Sequence, residues 1–199
     1  MTPRSVHRAL GITMLLPLLA WAVTGAIFFI KPGYGGAYES LAVRTYPLTA
    51  PLSVPPAADW QEVRYLRTVL GDHLIARTAS GWQQFDPVSL QARPAPSDED
   101  LRRLVTDAFS ANPTRYGQIA AADGDRITTT TGVTVTFDWN RLSLAQRGRD
   151  TDRIDTIYSV HYLQWTGIES VDKVVGGLGL LCLVALSAAG VRLLVKRRS

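Results

Sequence analysis

ALGITMLLPLLAWAVTGAIFFI, residues 9–30, is an apolar run of 22 residues without one charge. At about 1.5 Å per residue, a helix of that length reaches roughly 33 Å, enough to cross the hydrocarbon core of a bilayer. A second run, VVGGLGLLCLVALSAAGV at 174–191, continues through Arg192 to Val195. Two membrane crossings therefore frame everything between them.

Charge orients the frame. Arg4 and Arg8 precede the first run, Lys196, Arg197 and Arg198 follow the second, and no acid lies near either group. Cationic flanks of this kind stay on the cytoplasmic side. Both termini are expected in the cytoplasm, with the middle section outside; for a bacterial inner membrane that is the periplasm. From Lys31 to Asp172 there are 14 basic against 17 acidic residues, net −3, so the overall +4 comes from the ends. The basic pI reports anchoring and gives no reason to expect nucleic acid as a partner.

The triplet Ala20-Trp21-Ala22 imitates a signal-peptidase site, but the apolar run continues eight residues past Ala22, too far for an ordinary signal core. A retained span is expected. Small residues on both runs, among them Thr24, Gly25 and Ala26 on the first and Gly176, Gly177 and Gly179 on the second, allow helices to approach closely. The two spans are expected to pack on each other, and a homodimer or a membrane partner protein can use the same faces. The single cysteine, Cys182, lies in the second run, so no intrachain disulfide staples the outer part.

The chain divides into residues 1–30 (tail and first span), 31–59 (lead-in), 60–156 (folded domain), 157–173 (interfacial segment) and 174–199 (second span and basic tail). Prolines 47, 51, 55 and 56 give the lead-in an extended or irregular character, with order beginning near Trp60. Residues 63–69 and 73–77 read as strands joined by a tight Gly71-Asp72 turn, and residues 82–85 as a third strand. In SDEDLRRLVTDAFSANP, Ser97 is the N-cap, acids fill the first turn, and Leu101, Leu104, Val105 and Phe109 form a buried stripe that Pro113 ends. Residues 126–130 and 133–137 flank Thr131-Gly132 as a hairpin. The pattern F-D-x-x-x-L occurs at Phe85 and again at Phe137, three matching positions that point to a weak duplication of a strand-turn-strand unit. Residues 147–155, RGRDTDRID, read as a solvated link. The fold class is α+β: two transmembrane helices flanking an antiparallel sheet and helix domain.

Only three histidines exist, and the chain carries no zinc spacing, no phosphate-cradling glycine loop and no nucleophile elbow. His73 sits in a strand or turn, with a structural role expected. His7 lies two residues before the first apolar run, as an interfacial residue or a haem ligand. In IYSVHYLQWTG, Tyr158, His161, Tyr162 and Trp165 fall on one helical face, the pattern of an interface anchor or of a cofactor contact, with a bend at Thr166-Gly167. His7 belongs to one membrane face and His161 to the other, about 30 Å apart, so one iron cannot take both within a monomer.

SVHRALGITMLLPLLAWAVTGAIFFIKPG resembles the opening helix of PepSY-associated transmembrane proteins, which carry an Arg, then His-Arg-x-x-Gly and later Thr-Gly; the counterparts are Arg4, His7, Arg8, Gly11, Thr24 and Gly25. The segment from Ser159 resembles that family's Leu-His-x-Gly element, with His161 at the histidine, Val160 for Leu, and Tyr162-Leu163 in place of the polar residue and Gly. WQQFDPVSLQA is similar to a degenerate PepSY strand-turn-strand. The resemblance implies a PepSY-like periplasmic domain and a link to iron uptake. Larger relatives have more spans and histidines, and some act as haem-containing ferric-siderophore reductases. Two functions stand open: a noncatalytic anchored protein whose outer domain binds or modulates a partner, or a b-haem electron-transfer subunit using His7 or His161 through an oligomer or partner subunit. With no flavin or nicotinamide motif, electrons come from another donor in the second case.

Overall fold

The computed structural model describes residues 3–49 and 59–196; Pro51, Pro55 and Pro56 of the lead-in and Arg197 and Arg198 of the basic tail lie outside the described residues. The chain forms two compact units, one from residues 1–34 with 151–199 and one from 35–150.

The first unit holds two long helices, α1 (Pro3–Ile30) and α6 (Glu169–Lys196), each long and apolar enough to cross a membrane. Leu16 and Phe29 on α1 and Leu181 and Val184 on α6 are largely exposed, which a helix in a water-soluble core avoids. α1 and α6 pack on each other, with the Leu186 side chain against Gly11. α5 (Arg149–His161) leads into this unit, absorbing much of the stretch expected to be a solvated link. Arg and Asp alternate there because the charged residues sit around a helix that buries Thr151 and Ile154. After His161 the chain reverses through Leu163 and Gly167, both at positive φ, and Asp172 Oδ1 accepts hydrogen bonds from the Thr166 amide and hydroxyl.

The second unit is α+β with two antiparallel sheets. One has the order β1 (Glu62–Thr68), β2 (Gly71–Thr78), β3 (Gly81–Phe85); the other runs β4 (Ile119–Asp123), β5 (Arg126–Thr129), β6 (Thr134–Asp138), β7 (Ser143–Arg147). The first hairpin turns at Val69-Leu70, two residues earlier than the glycine suggests. Thr68 pairs with Gly71, and Gly71 itself, at φ 94°, supplies the left-handed residue that re-enters the ladder. β4 and β7 were not legible: Ile119–Asp123 is alanine-rich and Ser143–Arg147 polar, so neither shows strand propensity.

α3 (Asp98–Phe109) starts as its sequence dictates, the Ser97 side chain accepting from the Asp100 amide at 3.2 Å. It ends at Phe109, before Pro113, which instead opens the one-turn α4 (Pro113–Tyr116) capped by Asn112. Leu104, Val105, Ala108 and Phe109 meet Ile75 of β2, Ile127 of β5 and Val135 and Phe137 of β6 in one core. Each such side chain contributes roughly 1.5–3 kcal/mol by leaving water.

Residues 37–46 of the lead-in are ordered, so order begins earlier than the expected Trp60. Leu41 enters the core, Ala42 bridges to Ser143 and Tyr46 to Arg67. Gln146 Nε2 donates to the carbonyls of Ala37 and Glu39, while Arg115 forks onto Asp150 (2.7 Å) and Gln146 (2.6 Å). The network grips backbone carbonyls that no strand ladder satisfies.

The F-D-x-x-x-L repeat reaches further in three dimensions. Phe85 bridges to Ala92 and Phe137 pairs with Leu144, the same offset of 52 residues on both partners. Asp86 Oδ1 accepts from the Val88 and Ser89 amides, and Asp138 Oδ1 from the Arg141 amide. Leu90 and Leu142 both adopt positive φ, 58° and 47°. The offset carries Asp98 to Asp150 and Phe109 to His161, so along the chain α5 follows the second strand set as α3 follows the first.

Candidate functional site

His161 is the last residue of α5 and meets α1 side-on. Its Nδ1 lies 2.9 Å from the Thr24 hydroxyl, its ring stacks on Trp21 (5.4 Å between centroids, 18°), and the edge of Phe28 approaches at 4.8 Å. Trp21, Thr24, Gly25 and Phe28 occupy i, i+3, i+4 and i+7 of α1, one face of the helix. A Cβ on Gly25 would stand 3.8 Å from His161 Cε1, so the glycine lets the ring come close. Of the aromatic face expected around His161, Tyr158 and Tyr162 stack in parallel at 5.9 Å, while Trp165 lies beyond the helix end and donates its indole N–H to the Val160 carbonyl.

The hydrogen bonds assign the tautomer. Thr24 is buried, and its one hydroxyl proton goes to the Ala20 carbonyl at 2.8 Å, with Trp21 O at 3.1 Å. The hydroxyl oxygen then accepts from His161 Nδ1–H, which leaves Nε2 as a bare acceptor. No hydrogen bond reaches Nε2 among the described residues. The ring lines a cavity of about 460 Å³ between α1 and α6, with Trp21, Tyr162, Trp165, Gly176 and Cys182 in its walls.

His7 repeats the arrangement at the other end of α1. Its Nδ1 is 3.3 Å from the Leu186 carbonyl of α6, and Gly190 makes room for the ring, since a Cβ there would fall 3.3 Å from His7 Cε1. His7 precedes Thr24 by seventeen residues of continuous helix, roughly 25 Å. The structure does not bring His7 and His161 together. An imidazole held through Nδ1 with its Nε2 unbonded is one that would hold a haem, and His7 lies too far along α1 to share it.

His73 serves the outer unit. It is fully buried on β2, its Nε2 2.8 Å from the Thr68 hydroxyl and its Nδ1 2.8 Å from Gln84 Oε1 and 3.1 Å from the Arg93 guanidinium. Gln84 in turn donates to the Trp139 carbonyl. Burial pushes the His73 pKa below its ordinary value, and the Arg93 guanidinium beside it acts in the same direction. Among the described residues, no group of three or more His, Cys, Asp or Glu gathers as a metal site.

The pairing of Thr24 with His161 escaped the sequence reading, though a signal was present. Trp21, Thr24, Gly25 and Phe28 share the i, i+3, i+4, i+7 spacing that Tyr158, His161, Tyr162 and Trp165 carry in sequence. No family profile, no curated protein and no solved structure matches this chain.

Proposed function

We propose that the chain is a membrane-anchored protein of PepSY type, its two spans holding both termini in the cytoplasm and its α+β unit on the periplasmic face of a bacterial inner membrane. There the unit binds or modulates a partner, in the setting of iron uptake. The supporting observation is a division of labour: residues 35–150 complete a core of their own, while α1 and α6 expose apolar side chains suited to lipid. Reporter fusions at Asp100 test it: periplasmic activity is expected, and cytoplasmic activity there removes the reading.

A second reading is favoured by His161. Its Nδ1 bond to Thr24 and its free Nε2 suit a b-haem electron-transfer subunit that acts with an oligomeric or redox partner. His161 would hold the haem from one side, Thr24 would keep its tautomer, and Trp21 and Phe28 would restrict ring rotation. The haem supplies one-electron chemistry when bound. A dithionite-reduced spectrum in mild detergent with b-type bands that vanish in His161→Ala supports this reading; a haem-replete preparation without such bands eliminates it.

A further inference from the structure

We propose that the cavity beside His161 binds the head group of a lipid-soluble hydroquinone, one phenolic hydroxyl donating to His161 Nε2. The proposal rests on α1 and α6 being bilayer spans, and it differs from the haem reading in what occupies the site. Three observations carry it.

The acceptor is built in. Thr24 spends its only proton on the Ala20 carbonyl, so His161 must donate from Nδ1 and present a lone pair at Nε2. When the ring carries one proton, at Nδ1, its Nε2 takes a hydroxyl donor and has nothing to offer a carbonyl oxygen. The site therefore discriminates between hydroquinone and quinone, which have the same ring and tail and differ at the oxygens.

The walls suit a flat ring on an apolar tail. Trp21 stacks with the imidazole, Tyr162 stands edge-on to it at 5.4 Å, and Trp165 adds a third aromatic surface. About 460 Å³ holds a single-ring head group with the start of its chain.

A glycine stands in the wall with open space before it. Gly176 lines the cavity, and a Cβ there would meet nothing within 4 Å. A leucine at this position is expected to enter that space.

The test uses the full chain in lipid nanodiscs and a photoreactive azido-benzoquinol with a decyl tail. Adducts are expected on the cavity walls, displaced by unlabelled decyl-benzoquinol about tenfold more effectively than by the oxidised quinone. His161→Phe keeps the aromatic volume and abolishes labelling, as does Gly176→Leu. Thr24→Val, which frees the tautomer, removes the preference for the reduced form. Labelling unchanged by both His161→Phe and Gly176→Leu means unspecific lipid-like occupancy and overturns the proposal. A stoichiometric b-haem spectrum lost in His161→Phe gives the cavity to a macrocycle and also overturns it. Release of the protein from membranes by alkaline carbonate removes the bilayer spans, and the proposal falls with them; that result is separate from any labelling outcome.

Discussion

Thr24 and His161 stand 137 residues apart in sequence and 2.9 Å apart in the fold, a buried hydroxyl accepting from an imidazole. The contact decides which ring nitrogen carries the proton, and with it what His161 can recognise. Nitrogen-15 shifts of labelled imidazole are expected to show the Nδ1-protonated form for His161, and a mixture of tautomers in Thr24→Val. An Nε2-protonated ring in the parent protein contradicts the assignment.

His73 gives the fold a pH dependence. Its folded pKa is lowered, so above the ordinary value of 6.5 the ring is neutral in folded and unfolded chains alike and adds no slope. As pH falls below 6.5 the unfolded chain takes up a proton that the buried ring refuses, and stability drops by up to about 1.4 kcal/mol per pH unit until the lowered folded pKa is reached. Denaturant midpoints measured from neutral to mildly acidic pH check this, and the component due to His73 is expected to disappear in His73→Gln.

Leu90 and Leu142 share a left-handed backbone but differ in burial, 37% and 7% exposed. Asn tolerates that conformation better than Leu. Leu90→Asn is expected to be neutral or stabilising by up to about 1 kcal/mol, because strain is relieved and little packing is lost. Leu142→Asn removes a core side chain and is expected to cost about 2–4 kcal/mol. Equal effects of the two substitutions in thermal unfolding would contradict the role assigned to burial at Leu142.

Ser97 caps α3 beside three acids in its first turn. Ser97→Ala is expected to cost about 1 kcal/mol, a fall of a few degrees in Tm, while Ser97→Asp preserves stability. A Tm unchanged in Ser97→Ala means that the cap does not contribute.

Arg115 joins Asp150 and Gln146 through separate nitrogens, and this network holds the lead-in. Lysine keeps the charge but lacks the fork. Arg115→Lys is expected to lose about 1–2 kcal/mol and to make the 36–46 segment more open to limited proteolysis. Parent-like protease resistance rules out this role.

The readable parts of the fold were those with strong local periodicity. The two long apolar helices, α3 with its cap, and the hairpin around Gly132 follow from residues close together in sequence. The first turn lies two residues earlier than its glycine suggests, because Gly71 closes the turn and does not form its tip. The ordered lead-in was missed because its partners, Arg115 and Gln146, lie more than seventy residues downstream. The histidines could be named as candidates in advance, but their state could not: a tautomer depends on the neighbour of Nδ1, and Thr24 and Leu186 are remote from His161 and His7.

Hydropathy and composition alone determined that this chain offers two apolar helices around an α+β body, since length and periodicity are properties of neighbouring residues. Tertiary structure decided which face of α1 meets α5 and where the left-handed leucines sit. Those outcomes depend on side chains brought together by packing, and close packing permits only arrangements whose shapes and hydrogen bonds are satisfied together.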